Sequence, residues 1–555
     1  MKKIFCAWLA LFILFSGSLL FANAPKVKIS LPFRKGINLP VWMEYGKFNA
    51  LLYGKKDFEN IKSLGVEVVR VPVWFDIWAD KAADYKIDQE CFETLDKAVS
   101  WCEELGMCVI IDFHNDCGDG SKTNPRIETI LPKIWIQVAE RYKDRGDFVI
   151  YEIMNEPHFI SGNLQVDIAK WGKIQGKAIE AIREVDKRHA IIVGGGDMNS
   201  LDSMLKLPDY KDKNLIYNFH DYTPFLFTHQ GASWTNVKRI KKIPFPYSKE
   251  KMPPPPENAT DAEKWELSNY EKDSAEKTLL APLDKAVEFV NKRNAALMCN
   301  EFGVLMTYAD PAERANWYAL KCEWMDERNI TRLSWDYTQE FGIYNSPQET
   351  RFPDDLNKSL LKAMGYRIPP MAKSETWFSR AKASGDWTIY KDGNADYIRV
   401  SSYSNSGSLV AKDSSTSEKF INLTDLKPYD ELLFGFQEAC DFTALKDKGA
   451  KLEFYVKSLD KRFDITVYFR DMESKIFPWR AAALITAREY PADGYWRKVS
   501  IPLNKFNDVG GWTKATEWRV SEGKFTWALV DALVFENNNH TSREGYAIKN
   551  IKIVQ

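Results

Sequence analysis

Two glutamates in the sequence each follow an asparagine at the end of a short apolar segment. One is Glu156, which comes after residues 148–154, and the other is Glu301, which comes after residues 295–299. Two carboxyl groups that flank a glycosidic bond can hydrolyse it, one as acid and base and the other as nucleophile. The pair therefore indicates glycoside hydrolysis, with two unrelated acidic strand ends as the alternative. Pro157 is expected to restrict Glu156 to extended backbone.

The segments that must position these glutamates form a repeating pattern. Short β-like runs alternate with amphipathic helical patterns from residue 36 to residue 364, which is typical of βα units and a parallel sheet. Eight strands are predicted, at residues 36–39, 66–71, 107–112, 148–154, 190–193, 215–219, 295–301 and 332–335. Eight units in this length favour a (β/α)8 TIM barrel of the α/β class. A doubly wound open sheet is less favoured, because the first βα turn has no glycine-rich phosphate loop.

Other polar and aromatic residues stand near the ends of the predicted strands. They are Arg70, His114, Asn155, His220, Tyr222 and Trp335. The carboxyl ends of all eight strands meet at one face of a barrel, so we expect these side chains to surround the two glutamates. The histidines and glutamates show no HExxH-type spacing, and we predict that the site uses no metal and no other cofactor.

Two longer segments resemble a known family. VIYEIMNEPH, residues 149–158, resembles the signature of glycoside hydrolase family 5 around its acid/base glutamate, and residues 218–234 are similar to bacterial endoglucanases of that family. The resemblance covers roughly residues 30–366 and implies a retaining double displacement, with Glu301 as nucleophile and Glu156 as acid/base. It implies a cellulase-type endo-β-1,4-glucanase acting on β-glucan polysaccharide. The alternatives are a β-mannanase, a mixed-linkage glucanase or a non-catalytic carbohydrate-binding protein.

The resemblance also assigns three residues that tune the two glutamates. Arg70 matches a position next to the nucleophile, where its charge and hydrogen bonds would favour the anionic form. Tyr222 is expected to donate a hydrogen bond to the same carboxylate. His220 is expected to couple to Glu156 and to take part in holding its proton.

The remaining matches are assigned to the substrate. Asn155 is expected to bind the 2-hydroxyl of the sugar being cleaved, and His114 another hydroxyl of that sugar. Trp335 is expected to form a stacking floor, because the C–H faces of a pyranose are apolar. Trp42, Trp74 and Trp234 are candidates for further stacking platforms, with packing in the core as the alternative for each.

Charge and the first residues indicate where the protein works. Lys plus Arg number 76 and Asp plus Glu number 77 among 555 residues, so no basic field is present to bind nucleic acid. Residues 1–24 have the charged start, apolar stretch and Ala22-Asn23-Ala24 ending of a signal peptide, with an uncleaved membrane anchor as the alternative. We therefore expect a secreted monomer, extracellular or periplasmic, with no membrane contact after cleavage.

The pattern changes near residue 371. Domain 25–370 is predicted to be the catalytic barrel, and 371–555 shows alternating segments that predict an antiparallel β-sandwich. The sandwich resembles jelly-roll carbohydrate-binding modules, with a purely structural appendage as the alternative. The resemblance implies a structural Ca²⁺, although Asn550 stands where Asp is usual. Its candidate sugar contacts are Trp479, Trp496, Trp512, Trp518 and Trp527.

Overall fold

The computed structural model describes residues 24–114, 122–348, 350–369, 376–402, 408–471, 477–513 and 517–555. The predicted signal peptide up to Asn23 and the predicted domain boundary at residue 370 lie outside the described residues. The chain divides into two compact units. The first contains the residues up to Pro40, Lys62–Glu349 and Asp355–Pro369, and the second contains Val41–Ile61, Thr350–Asp354 and Pro370–Gln555.

The first unit is built on a closed barrel of eight parallel strands. They are β1 (Lys35–Asn38), β2 (Val68–Val73), β3 (Cys108–Phe113), β4 (Val149–Glu152), β5 (Ile191–Gly194), β6 (Leu215–Asp221), β7 (Ala296–Phe302) and β8 (Thr331–Ser334). Each strand pairs with the next along the chain, and β8 pairs with β1 to close the barrel. The predicted (β/α)8 fold is confirmed, and closure excludes the doubly wound open sheet.

The helices follow the strands in the predicted alternation. They are α1 (Lys55–Ser63), α2 (Phe75–Trp78), α3 (Gln89–Leu105), α4 (Ile127–Tyr142), α5 (Leu164–Val185), α6 (Leu201–Met204), α7 (Phe225–Thr228), α8 (Asp261–Asp273), α9 (Glu276–Arg293), α10 (Pro311–Glu327) and α11 (Lys358–Ala363). Gly106 ends α3 with φ of 60°, a left-handed conformation that glycine adopts without a steric penalty. No described helix has both the length and the apolar character needed to cross a membrane.

The inside of the barrel changes from apolar to charged along the strands. Inward-facing side chains of β2, β3 and β4 include Val68, Ile110 and Ile150, which belong to a buried apolar cluster. Successive inward-facing positions of a strand lie two residues apart. The next inward positions of the same strands hold Arg70, Asp112 and Glu152, all of which are buried. A charged layer therefore lies on the apolar layer, towards the carboxyl ends of the strands.

The second unit is an antiparallel β-sandwich, as predicted. Its strands are β9 (Trp387–Tyr390), β10 (Arg399–Ser402), β11 (Leu409–Lys412), β12 (Lys419–Leu423), β13 (Glu431–Cys440), β14 (Lys451–Ser458), β15 (Asp464–Asp471), β16 (Arg480–Thr486), β17 (Arg497–Pro502), β18 (Asn507–Thr513), β19 (Glu517–Arg519), β20 (Val530–Asn537) and β21 (Tyr546–Val554). One sheet has the order β11-β12-β21-β14-β17, with β9 also paired to β21, and the other has the order β10-β13-β20-β15-β16-β18-β19. Alternate residues of β14 and β15 are buried in one large apolar core. Two helices, α12 (Trp377–Ser384) and α13 (Thr443–Asp447), complete the unit.

One segment of the second unit comes from an unexpected place in the chain. Residues 41–61, which include most of α1 and a 3-10 turn at Lys47–Leu51, lie between β1 and β2 in sequence but cluster with the sandwich. Phe48 is part of the sandwich core. The buried Asp57 carboxylate accepts a hydrogen bond of 3.0 Å from Nε of Arg399 in β10. No sequence pattern predicted this excursion.

Candidate active site

The two glutamates meet at the carboxyl end of the barrel. Glu301 lies in β7 and is buried, whereas the Glu156 side chain, just beyond β4, is 27% exposed. A carboxylate oxygen of each and a ring nitrogen of His220 lie within 4.8 Å of one another. Glu156 has φ of 41°, so the expected extended backbone is wrong. The chain turns through the left-handed region at this residue, a conformation that is costly for a glutamate and often found at functional sites.

Arg70 is the centre of the charged layer. Its guanidinium donates at 2.7 and 3.0 Å to Glu152, at 2.6 Å to Glu301 and at 2.9 Å to Asn155 Oδ1, and it lies 2.9 Å from Asp112. Burial opposes its charge, but three neighbouring carboxylates raise the pKa of Arg70 well above its ordinary value. The side chain is fully buried, so its hydrogen bonds hold it in one orientation.

Glu301 is held in its ionised form. Burial alone would raise its pKa, but the charges of His220 and Arg70 outweigh burial and lower the pKa of Glu301 below its ordinary value. The Tyr222 hydroxyl donates a hydrogen bond of 2.9 Å to Oε2 and acts in the same direction. A deprotonated carboxylate fixed by two strong donors has the charge and orientation of a nucleophile.

His220 links the two glutamates. Its Nδ1 lies 2.7 Å from Oε1 of Glu156 and 3.5 Å from Oε2 of Glu301. Burial would lower the pKa of His220, but the charges of both glutamates raise it above its ordinary value. The ring is therefore suited to donate from Nδ1 to the Glu156 carboxyl group.

The aromatic floor of the site consists of His114 and Trp335. Their rings are parallel to within 5°, with centroids 5.6 Å apart. His114 Nδ1 lies 2.7 Å from Asp112 Oδ2, which orients the imidazole. Tyr222 and Trp335 pack against a small apolar cluster at Ala232, two residues before the exposed side chain of Trp234.

Trp42 is buried in a core, and its assignment to substrate stacking is wrong. The indole is completely buried and packs edge-on against Tyr53 and Phe58. Its Nε1 donates to the Ala50 carbonyl at 3.0 Å. Trp42 belongs to the segment that clusters with the second unit, so it contributes to a core and offers no face to a sugar.

Several residues of the charged layer were missed by the sequence reasoning. Asp112, Glu152 and Asn300 are buried, and Asn300 donates to Glu152 at 2.8 Å. Burial, with Asp112 nearby, raises the pKa of Glu152 above its ordinary value although Arg70 opposes the shift. A carboxylate inside an apolar strand was the available signal, since such a group must be paired when buried.

The second unit carries a groove of about 780 Å³ on the outer face of its seven-stranded sheet. Trp518 and Tyr429 line the groove, and both are more than half exposed. Arg480 also lines it and donates at 3.0 Å to Glu536. Burial and the neighbouring Glu431 raise the pKa of Glu536 to about 7, although Arg480 opposes the shift. The groove combines exposed aromatic faces with polar groups that can bond hydroxyls.

The tryptophans of the second unit differ in exposure. Trp512 and Trp518 stand directly opposite each other on β18 and β19, and each is about half exposed. Trp479 is buried, so it belongs to the packing of the unit. Trp496 donates from Nε1 to Asp413 at 3.2 Å, and Trp527 packs against Phe469.

The carboxylate next to Asn550, where the resemblance implied a structural calcium ion, is already paired with protein groups. Both oxygens of Glu418 are engaged, one at 2.5 Å by the Lys549 ammonium and the other at 2.6 Å by the Asn550 amide. The ammonium supplies the positive charge that an ion would bring. Among the described residues, the one close group of three potential metal ligands is Glu156, His220 and Glu301.

Comparison with known proteins identifies the chain as a glycoside hydrolase, in agreement with its fold and site. The profile of the family described as Cellulase (glycosyl hydrolase family 5) matches residues 35–341, and that of Carbohydrate binding domain 30 matches residues 376–555. The chain belongs to glycoside hydrolase family 5 and carries a C-terminal carbohydrate-binding domain.

The relatives match about three fifths of the chain. Endoglucanase 3 of Fibrobacter succinogenes is 30% identical over 348 residues, which cover 59% of this chain and only 52% of that protein. Endoglucanase C of Acetivibrio thermocellus is 30% identical over 339 residues, which cover 57% of this chain and 95% of that protein. The crystal structure of endoglucanase Cel5A from Thermotoga maritima is 25% identical, with a TM-score of 0.49, covering 60% of this chain and 96% of that one.

Proposed function

We propose that this chain is an exported, retaining endo-β-1,4-glucanase that hydrolyses β-1,4-linked glucan by double displacement. The observation that carries the proposal is a pair of close carboxyl groups in unequal surroundings. One oxygen of each lies within 4.8 Å of one oxygen of the other. This closeness favours the separation of about 5–5.5 Å between the carboxyl groups of retaining enzymes over the roughly 6.5–9.5 Å of inverting enzymes. Glu301 is buried beside Arg70, whereas Glu156 is partly open to solvent.

In the first step, a Glu301 oxygen attacks the anomeric carbon of the sugar. Glu156 gives its proton to the glycosidic oxygen, the carbon–oxygen bond breaks, and the reducing-end product leaves. Glu301 becomes an ester and loses its charge, while Glu156 becomes a carboxylate. The Nδ1–H of His220, 2.7 Å from Glu156, stabilises that carboxylate.

In the second step, Glu156 acts as the base. It takes a proton from a water molecule, the water oxygen attacks the anomeric carbon, and the ester bond to Glu301 breaks. Arg70 and Tyr222 then stabilise the carboxylate that leaves, as they do in the free enzyme. Two inversions at the same carbon give a product that retains its configuration.

The surrounding side chains position the sugar. The Oδ1 atom of Asn155 accepts from Arg70 at 2.9 Å, which turns its amide nitrogen towards the cleft as a donor for the 2-hydroxyl. Trp335 provides an apolar face for the sugar being cleaved, beside His114. Trp234 is 61% exposed on the loop that packs next to this floor, and it would stack the sugar on the leaving-group side.

The groove of the second unit is proposed to bind the same polysaccharide. Its lining includes residues of β20, β15, β16, β18 and β19, which are four strand spacings or roughly 19 Å, so it suits an extended chain of sugars rather than one. Exposed Trp518 and Tyr429 would contact apolar sugar faces, and Arg480 and Glu536 would bond hydroxyls. This would hold the barrel near an insoluble substrate and raise its effective concentration.

Export is proposed from the sequence pattern of residues 1–24 and from the substrate, since β-glucan polymers cannot enter a cell intact. The test is the N-terminal sequence of the protein recovered from the producing cells' medium or periplasm. A mature chain that starts after Ala24 supports export with cleavage, and an intact N-terminus in the membrane fraction contradicts it.

The catalytic assignment is tested with Glu301→Ala and Glu156→Ala on soluble β-glucan. Both variants should lose about three or more orders of magnitude in kcat. Azide should rescue Glu301→Ala and give a glycosyl azide of inverted configuration. Glu180→Ala, at an exposed helical position of the same unit, is the matched control and should retain full activity. Near wild-type turnover in either glutamate variant would refute its assigned role.

The substrate is tested by initial rates on carboxymethyl cellulose, mixed-linkage glucan, glucomannan, mannan and xylan. A highest kcat/KM on β-1,4-glucan with a rapid fall in viscosity supports an endoglucanase. A highest value on mannan would replace this proposal with a β-mannanase of the same mechanism.

A further inference from the structure

Asn199 contacts His220 through both its backbone and its side chain. The Asn199 carbonyl accepts a hydrogen bond of 2.9 Å from the backbone N–H of His220, and its side-chain amide nitrogen lies 3.4 Å from His220 Nε2. The side chain is completely buried, and the residue has φ of 49°, a conformation that asparagine tolerates better than most residues. The chain thus turns sharply after β5 to place this amide against the imidazole.

The barrel leaves room for this amide. Gly194 is the inward position of β5 that follows Ile192, the residue paired with Glu152 in β4. A Cβ atom on Gly194 would lie 2.5 Å from Oδ1 of Asn199, closer than any real contact. A glycine at position 194 is therefore needed for Asn199 to occupy its place.

The protonation of the two ring nitrogens of His220 determines whether the Asn199 side chain donates or accepts a hydrogen bond. Nδ1 faces Glu156 and Glu301, so Nδ1 carries a proton, and Nε2 is an acceptor in the neutral ring or a donor in the charged ring. The Oδ1 atom of Asn199 is buried and has no hydrogen-bond partner among the described residues. A half turn of the amide, which keeps its shape, brings this unpaired oxygen to Nε2. The oxygen can then accept a hydrogen bond from a charged imidazole.

We propose that Asn199 is a positioning residue, which accepts a hydrogen bond from Nε2 and thereby keeps His220 positively charged between the two catalytic glutamates. The proposal rests on the proposed roles of Glu156 and Glu301. The titratable groups that face His220 are Glu156 and Glu301, whose carboxylate forms favour the imidazolium, and Arg70, which disfavours it. The charge of His220 favours ionised Glu301, so Asn199 acts on the nucleophile through the imidazole.

The first test observes His220 directly in the full-length protein. The sequence has six histidines, so ¹⁵N-histidine labelling gives few imidazole signals, and His220→Gln identifies the relevant one. In the wild type, both ring nitrogens should stay protonated above the ordinary histidine pKa of about 6.5. In Asn199→Leu, which removes the acceptor, the midpoint should fall by at least about one pH unit. In Asn199→Asp, a side chain that can only accept, both nitrogens should stay protonated.

The results that would overturn the proposal are clear in the same spectra. A wild-type His220 with unprotonated Nε2 from pH 5 to 8 would show that the amide donates and does not accept. An unchanged midpoint in Asn199→Leu would show that the amide does not govern the ring. If the leucine variant does not fold, the wild-type and aspartate titrations still decide the question. No substrate is needed, so these results stand even if the enzyme proves inactive on β-glucan.

The second test measures kcat/KM against pH. Asn199→Leu should shift the basic limb to lower pH by about one unit, because His220 then loses its charge at a lower pH while Glu301 stays ionised. Asn199→Asp should retain more of the wild-type activity at the optimum than Asn199→Leu. Ser203→Ala, a change of a buried side chain in the adjacent α6, is the control and should leave the profile in place. A uniform loss of activity with an unshifted limb in Asn199→Leu would refute the proposed action on the imidazole charge.

Discussion

Tyr222→Phe tests whether a single hydroxyl keeps the nucleophile ionised. The hydroxyl donates a hydrogen bond of 2.9 Å to Oε2 of Glu301, and the ring packs edge-on against His229 and Phe341, contacts that phenylalanine retains. The substitution therefore removes one hydrogen bond and leaves the packing in place.

The size of the effect follows from the type of bond. A hydrogen bond to a charged group contributes about 1.5–3 kcal/mol, and one pKa unit corresponds to about 1.36 kcal/mol. Arg70 and His220 remain and carry part of the stabilisation, so we expect the pKa of Glu301 to rise by about one unit. The pKa of Glu301 is depressed in the native protein, and losing a donor moves it upward. Activity needs the ionised form, so it is lost at the acidic end.

The assay is kcat/KM on soluble β-glucan across pH. The acidic limb of Tyr222→Phe should lie about one unit higher than that of the wild type, which means about tenfold lower activity on that limb. Tyr210→Phe is the matched control, because the Tyr210 hydroxyl bonds Gln175 and Gly172 and does not contact the site. An acidic limb at the wild-type position in Tyr222→Phe would refute the reasoning, since it would mean that this donor does not stabilise the anion.

Two further substitutions test the buried ion pair next to the nucleophile and the groove of the second unit. Glu152→Gln should lower the free energy of unfolding by about 3–5 kcal/mol, measured by denaturant titration, because it removes the charge and one of the two acceptor oxygens from a buried ion pair with Arg70. A loss below about 1 kcal/mol would show that the other partners of Arg70 suffice. Trp518→Ala should weaken retardation in β-glucan affinity gels while kcat on soluble substrate stays unchanged. Trp479→Ala, which changes a buried tryptophan of the same unit, is the control. If Trp518→Ala is retarded as strongly as the wild type, the polysaccharide binds at another surface.

Regular features of the barrel were predictable from the sequence because local patterns determine them. The helices at Lys55–Ser63 and Ile127–Tyr142 follow from amphipathic periodicity, and the strands from apolar runs next to turn residues. The residues at strand ends were predictable for the same reason, because a parallel barrel collects them at one face.

Features that depend on contacts distant in sequence were not predictable. The burial of Trp42 follows from its packing against Tyr53 and Phe58 in a segment that joins the second unit. The left-handed backbone of Glu156 is imposed by tertiary structure against the local preference of a residue before proline. Asn199 carries no local signal, because its partner is a histidine twenty-one residues later.

The excursion of residues 41–61 affects how this chain can be divided. A chain truncated after residue 370 would retain Asp57 but lose Arg399. The Asp57 carboxylate would then lack its hydrogen bond and ion pair with that guanidinium. The same truncation would remove the apolar side chains of the sandwich core that pack against Phe48. Gene fragments that encode either half alone should therefore yield insoluble or unstable material, and exchange of this binding domain between enzymes would require transplanting the first βα loop along with it.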